Sequence, residues 1–227
     1  MTTHALGRIP QFDPRSRAFG IAPLVAGRTP RSYSWSCGSV LDQGIQGSCV
    51  GHAWAHELIA RPVVVTGITH AVAVDLYYAA QRLDADPGGE YPGASPHYEG
   101  TSVLAGAKAV TDAGYLSEYR WAFGLDDLII ALGYAGPAVL GIDWMNDMFD
   151  PDADGLLHVS GGVAGGHAIL ANGVSIKRRL VRLHNSWGPD WGINGEAYIG
   201  FDDLSVLLAN QGEACVPVHR TALRTWP

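Results

Sequence analysis

Helical patterns of apolar and polar positions occupy the first part of the chain. They predict helices over residues 49–60, 71–83, 102–113 and 126–134. The first of these ends before Pro62, because proline cannot continue a helix. Residues 84–97 are rich in aspartate, proline and glycine and predict a loop.

The pattern changes after Pro137. Short apolar runs, separated by glycine-rich turns, predict strands over residues 138–142, 167–172, 180–184 and 196–201. Helices followed by strands indicate an α+β fold of two lobes, not alternating βαβ units, and the sequence contains no internal repeat. We therefore predict a mainly helical lobe over 37–136 and a β lobe over 137–227.

The first 36 residues differ from both lobes. They show little periodicity and carry scattered arginines together with Pro10, Pro14, Pro23 and Pro30. This composition predicts an extended N-terminal arm over the body of the protein, either structural or removable as a short pro-segment.

Length and charge limit the classes of function. With 227 residues, the chain is long enough for one domain or for two small lobes that share an interface. Its formal charge of −7 argues against a nucleic-acid partner, because that affinity depends on cationic side chains that neutralise phosphates. The oligomeric state is left open.

Membrane and export signals are missing from the sequence pattern. The longest apolar run, 128–132, is far shorter than the roughly 20 residues of a transmembrane helix. The N-terminus has no continuous apolar core of the kind that a secretory signal requires. We expect no membrane partner and a cytoplasmic location, or export by another route.

Three cysteines leave at least one thiol unpaired, so the chain is not a disulfide scaffold. Cys37 and Cys215 are either bridged or two reduced, buried thiols, and the second state is favoured. Cys49 is the candidate nucleophile. It opens a predicted helix, where the helix dipole stabilises a thiolate.

The other groups that thiol catalysis needs also have candidates. Gln43 carries a side-chain amide that can donate to an oxyanion beside the backbone N–H of Cys49. His167 begins a predicted strand, a firm position for a general base. Asn185 can accept a hydrogen bond from the second ring nitrogen of His167 and so fix its orientation.

Three motifs together resemble the papain family of cysteine peptidases and occur in that family's order: QGIQGSC (43–49), GHA (166–168) and NSWGPDWG (185–192). The resemblance implies a helical N-terminal lobe, an antiparallel β-sheet or barrel in the C-terminal lobe, and an active site in the cleft between them. It implies peptide-bond hydrolysis through an acyl-enzyme on Cys49, with His167 as general base and acid. Asn185 is then the orienting residue, Gln43 is the oxyanion donor, and the substrate is a protein or peptide.

The resemblance also implies a substrate-binding set, and it requires no metal or other cofactor. Trp187 would cover the hydrogen bond between Asn185 and His167, and small residues beside the nucleophile let the substrate backbone approach closely. A weaker match near residue 100 corresponds to a segment that pairs with substrate. The predicted substrate-binding residues are Gly47, Ser48, Gly100, Thr101 and Trp187.

The sequence departs from the family pattern at Gln46, where relatives have a cysteine, and at Val50, where they have a tryptophan. A disulfide that is common in secreted relatives is therefore missing. Two alternatives stay open: another thiol acyl-transfer enzyme, transglutaminase-like or a cell-wall peptide hydrolase, and a catalytically silent papain-like binding protein. The motif NSWG disfavours the first, and the four retained catalytic candidates disfavour the second.

Overall fold

The computed structural model describes residues 4–221. The first three residues of the predicted arm and the last six of the predicted β lobe lie outside this range. Within it, the helices are α1 Pro14–Arg17, α2 Ala22–Val25, α3 Cys49–Ile59, α4 His70–Gln81, α5 Val103–Asp112, α6 Leu125–Tyr134 and α7 Phe201–Ala209. The strands are β1 Tyr33–Ser34, β2 Leu116–Trp121, β3 Ala138–Met145, β4 Val163–Ser175, β5 Leu180–His184, β6 Glu196–Gly200 and β7 Glu213–Arg220.

The described strands form one antiparallel sheet in the order β2-β7-β3-β4-β5-β6, with β1 paired to β4. Helices pack against this sheet, which confirms the predicted α+β class. The sheet register matters for the site, because it places His167 opposite Ile142 and Ala168 opposite Gly141.

Helix α3 is central to the fold. All of its residues are buried, including the polar side chains of His52, His56 and Glu57. Two glycines allow this close packing: an added Cβ at Gly51 would lie 2.3 Å from the Ala73 carbonyl oxygen, and one at Gly106 would lie 2.4 Å from the Trp54 ring. The helix that carries Cys49 is therefore held on all sides.

The four predicted helices agree with α3 to α6 to within two residues at each end. Side-chain caps help to set two of the starts, since Thr69 accepts from the N–H of Val72 and Ser102 accepts from that of Ala105. The sheet, however, is not confined to residues after Pro137. Strand β2 lies earlier in the chain and pairs with β7.

A buried ion pair joins α3 to the end of β7. Glu57 is fully buried, and the Arg220 guanidinium lies 2.5 Å from its carboxylate. Burial raises the pKa of Glu57, an effect that the positive charge of Arg220 opposes. The strand at the far end of the chain is thus tied to the central helix.

Replacing Arg220 with methionine is expected to lower the free energy of unfolding by about 3–5 kcal/mol, since the Glu57 carboxylate would remain buried without its partner. Urea denaturation measures the change. The matched control is Arg179→Met, which breaks an exposed pair with Asp202 and should change stability by less than about 1 kcal/mol. Equal losses in the two variants would contradict a structural role for the buried pair.

Cys37, Cys49 and Cys215 are all free thiols, as the favoured sequence interpretation predicted, but Cys37 is half-buried where that interpretation had it buried. Among residues 4–221, the helices are too short or too polar to cross a membrane.

Candidate active site

Cys49 is the first residue of α3 and is completely buried. Its Sγ accepts a hydrogen bond from the backbone N–H of Ala168 at 3.4 Å. Ala168 follows His167 in β4, so this contact holds the thiol beside the candidate base. The helix and the sheet, far apart in sequence, meet at this hydrogen bond.

The ring of His167 is oriented by Asn185. Its Nε2 lies 2.8 Å from Asn185 Oδ1, and the same oxygen accepts from the N–H of Ser186 at 2.8 Å. Because Oδ1 is an acceptor, Nε2 carries the proton and Nδ1 is left as the basic nitrogen. Nδ1 is buried and has no hydrogen-bond partner among the described residues.

Aromatic rings enclose this pair. The Trp187 ring centroid lies 4.7 Å from that of His167, and Trp144 packs edge-on against the same imidazole at 4.8 Å. Both tryptophans are buried and exclude water from the bond to Asn185. Trp187 therefore lies where the sequence predicted it, whereas Trp144 was not identified because a tryptophan in an apolar strand resembles ordinary core.

The side-chain amide of Gln43 is held in a fixed orientation. Its Oε1 accepts a 2.6 Å hydrogen bond from the Ser186 hydroxyl, so the Nε2 N–H groups point away from Ser186. Nε2 donates to the Gln46 carbonyl at 2.9 Å and to the Ala5 carbonyl at 3.2 Å. Ser186 was not among the predicted site residues, although a hydroxyl next to Asn185 was a signal for it.

Residues 4–9, called the cleft segment below, run between Gly166 and Thr101 and pass beside Cys49. The N–H groups of Gly7 and Arg8 donate to the Gly166 carbonyl at 3.0 and 2.9 Å. On the opposite wall, Thr101 donates to the Gly7 carbonyl and accepts from the Ile9 N–H, both at 2.9 Å. The backbone of Thr101, predicted to bind substrate, therefore binds the chain's own N-terminal segment.

Glycines make this fit possible. A Cβ added at Gly7 would lie 1.9 Å from the Gly47 carbonyl oxygen, and one at Gly166 would lie 2.2 Å from the Arg8 carbonyl oxygen. Gly100 has a φ of +90°, and a Cβ there would lie 2.5 Å from the Gly7 carbonyl oxygen. Any side chain at position 7 would therefore force the cleft segment to move.

Burial shifts the pKa values of Cys49 and His167 in opposite directions. Burial raises the pKa of Cys49 to about 11, although N–H groups that include those of Ala168 and Gly7 oppose the rise. Burial also lowers the pKa of His167 to about 4, against the effect of the hydrogen bond to Asn185. Both shifts favour the uncharged forms, a thiol and a neutral imidazole, while the cleft segment is in place.

The structure brings Cys49, His167, Asn185 and Gln43 into one connected arrangement. Ser48 is placed differently from the other predicted residues, because its hydroxyl lies 3.2 Å from His52 Nδ1 within the helical lobe. Its predicted contact with substrate stays a prediction.

Comparisons with known proteins come from sequence and from structure. No protein-family model matches the sequence. A curated relative, the viral cathepsin of Adoxophyes honmai nucleopolyhedrovirus, is 24% identical, and the match covers 87% of this chain. The chain spans 65% of the length of that relative.

Several solved structures share the fold. Xylellain, a cysteine protease from Xylella fastidiosa, has a TM-score of 0.70 at 18% identity, covering 96% of this chain and 97% of its own. The Carica candamarcensis cysteine protease CMS1MS2, solved with E-64, has a TM-score of 0.60 at 16% identity, covering 85% and 100%. Digestive procathepsin L 3 of Tenebrio molitor has a TM-score of 0.56 at 16% identity, covering 96% and 76%. The fold predicted from the three motifs is therefore confirmed.

Proposed function

Because this fold is that of the papain-like cysteine proteases, we propose that the chain is a cysteine peptidase that hydrolyses peptide bonds through a thioester on Cys49. The observation that carries the proposal is the connected set of contacts from Cys49 through the Ala168 N–H and His167 to Asn185. Gln43 adds a buried amide donor whose Nε2 also donates to the Ala5 carbonyl of the cleft segment.

Acylation uses the basic nitrogen of His167. His167 Nδ1 takes the proton of the Cys49 thiol, and the thiolate attacks the substrate carbonyl carbon. The developing oxyanion is stabilised by Gln43 Nε2–H and by the backbone N–H of Cys49. His167 then donates its proton to the departing amine, and the carbon–nitrogen bond breaks to leave the thioester.

Deacylation repeats these steps with water. Nδ1 of His167 removes a proton from water, and the resulting hydroxide attacks the thioester carbonyl. Collapse of the tetrahedral intermediate releases the carboxylic acid, and the returning proton restores the thiol. Through both steps Asn185 accepts from Nε2–H, which fixes the tautomer and stabilises the imidazolium that forms in each transition state.

The cleft segment must leave before this chemistry starts. In the described arrangement, Gln43 Nε2 donates a hydrogen bond to the Ala5 carbonyl. That carbonyl therefore uses the donor that we assign to the substrate carbonyl. The segment also adds to the burial that favours the uncharged forms of Cys49 and His167. This arrangement supports the pro-segment interpretation of the arm over a purely structural one.

An activated peptide ester tests the peptidase proposal against its alternatives. With the Gly7→Ala variant, whose new methyl group displaces the cleft segment, we expect a burst of one acyl group per chain followed by slow turnover. A silent binding protein would give no burst. A transglutaminase-like enzyme would transfer the acyl group to an added amine in preference to water, and the amide product would reveal this.

Replacing Gln43 with alanine in the Gly7→Ala background is expected to lower kcat by about 10²–10³-fold, the typical effect of losing one oxyanion donor. Ser186→Ala should lower kcat by about tenfold, because it loosens the Gln43 amide without removing it. Steady-state kinetics on a fluorogenic peptide measure both. Ile45→Ala, at a highly exposed position in the same loop, is the control. A Gln43→Ala variant with kcat within twofold of the parent would remove Gln43 from the mechanism.

A further inference from the structure

Residues 100–102, called the Thr101 wall below, are hydrogen-bonded both to the cleft segment and to side chains of helix α4. The Tyr77 hydroxyl accepts from the Gly100 N–H at 2.8 Å. The Gln81 side-chain amide donates to the Gly100 carbonyl at 3.0 Å. Both backbone polar groups of Gly100 are therefore bound by α4, and Thr101 carries the groups that meet the cleft segment.

The two side chains share one face of α4. Tyr77 and Gln81 are four residues apart, which makes them neighbours on the helix surface, and Gln81 Nε2 donates to the Tyr77 hydroxyl at 2.8 Å. Both side chains are buried. Gln81 Nε2 lies farther, at 3.3 Å, from the Tyr98 carbonyl, so its two hydrogens serve mainly Tyr77 and Gly100.

Glu90 fixes the orientation of both side chains. Tyr77 donates its hydroxyl hydrogen to Glu90 Oε2 at 2.6 Å, and the Glu90 N–H donates to Gln81 Oε1 at 2.8 Å. Burial, and after it the hydrogen bond to Glu90, raises the pKa of Tyr77, so the hydroxyl keeps its proton at neutral pH. The hydroxyl then has its donor and both acceptor positions filled, because it also accepts from Gly100 and Gln81.

One rigid peptide group connects Gln81 to the cleft. The Gly100 carbonyl and the Thr101 N–H belong to the same planar trans peptide, so they point in opposite directions and turn together. Gln81 holds the carbonyl, and the N–H donates to the Gly7 carbonyl at 2.9 Å. The Thr101 hydroxyl is held separately by the Asp84 carboxylate at 2.6 Å. The direction of the Thr101 N–H is thus set by a side chain outside the cleft.

We propose that Gln81, held by Tyr77 and Glu90, is a positioning residue for substrate binding. It orients the Thr101 N–H toward the backbone of a substrate that has replaced the cleft segment. The proposal rests on the peptidase function above and adds to it a group that acts through the Thr101 wall. Since Gln81 touches neither the thiol nor the imidazole in the described structure, its effect falls on KM and not on the chemical step.

The test compares two substrates in the Gly7→Ala background. A fluorogenic tetrapeptide amide extends along the Thr101 wall, whereas the acetyl group of p-nitrophenyl acetate is too short to reach it. Gln81→Met keeps the length of the side chain and removes its hydrogen bonds. We expect kcat/KM for the tetrapeptide to fall at least about fivefold, mainly through KM, while the rate on the acetate ester stays within about twofold.

A second variant guards against misfolding of Gln81→Met. Tyr77→Phe removes one oxygen atom, leaves Gln81 in place and should give the same split between the substrates with a smaller loss. Tyr98→Phe is the matched control, because the Tyr98 hydroxyl bonds only to the Asp86 carbonyl among the described residues. It should leave both rates unchanged. Equal losses on the tetrapeptide and the acetate ester would mean that the α4 contacts are merely structural, and would overturn the positioning role.

A further measurement needs no turnover, because the cleft segment pairs with the same Thr101 groups. In the chain with an unaltered arm, Gln81→Met should speed alkylation of Cys49 by iodoacetamide at least about threefold. Arg220→Met, which weakens the fold elsewhere, should leave that rate within about twofold. Equal acceleration by the two variants would overturn the positioning role and leave the peptidase proposal intact. If neither substrate is turned over and the activated peptide ester gives no burst, the peptidase proposal fails and substrate positioning fails with it.

Discussion

Replacing Cys49 with alanine is expected to abolish peptide hydrolysis, with a fall in kcat of about 10⁴–10⁶-fold in the Gly7→Ala background. The reason is chemical: no thiolate is left to attack the carbonyl, while the oxyanion donors and the fold remain. Rates on a fluorogenic peptide measure the loss. The matched control is Cys37→Ala, which removes a half-buried thiol that makes no contact with His167 in the described structure and should keep full activity.

Covalent labelling gives an independent check of the same assignment. A thiol-directed epoxide such as E-64 should add once per chain, and peptide mapping should place the adduct on Cys49. The Cys49→Ala variant should remain unlabelled. Retained turnover in that variant, or an adduct on Cys37 or Cys215, would show that the nucleophile has been misassigned.

Gly7→Ala is expected to raise peptidase activity and to speed alkylation of Cys49 by iodoacetamide at neutral pH by at least about tenfold. The new Cβ cannot coexist with the Gly47 carbonyl oxygen, so the cleft segment is displaced and water reaches the thiol. Each unit by which the Cys49 pKa falls increases the thiolate fraction about tenfold at neutral pH. Intact mass over time measures the alkylation. Pro10→Ala, an exposed change in the same arm, is the control.

The pH dependence follows from the same burial. In the unaltered chain the pKa of Cys49 is raised to about 11, so alkylation should keep increasing with pH up to that region. In Gly7→Ala the rise should occur at lower pH, because the thiolate is hydrated and can pair with a protonated His167. Identical profiles for the two proteins would mean that the segment does not control the thiol.

Local signals explain which parts of the fold were predictable. Helix α3 ends shortly before Pro62, and Ser102 caps the start of α5. Residue types at these positions were therefore enough to predict both helix boundaries. Strand β7 contains Pro217, which weakens the strand pattern, and β2 is buried only at its two ends. Both strands depend on each other across the sheet, and a periodicity argument contains no information about such pairing.

The same contrast holds for the site. Cys49, His167 and Asn185 lie in short motifs and were identified without coordinates. Arg8 of the cleft segment lies in a proline-rich arm, and Glu213, which accepts a hydrogen bond from its guanidinium, is 205 residues away, so neither residue carried a local signal. Their relationship is purely tertiary: it arises from the register of β3 and β7 and from the path of the arm through the cleft.

The cleft segment belongs to the same polypeptide as the site that it blocks. Its effective concentration at Cys49 is therefore set by the connecting chain, on the order of millimolar for a short flexible tether, and does not change when the protein is diluted. Dilution alone would leave the cleft closed, and a substrate would have to compete with an occupant that never diffuses away. A single backbone cleavage after the segment would turn this tethered occupant into a free peptide. If another copy of the enzyme makes that cut, the rate of opening would increase with the square of the protein concentration.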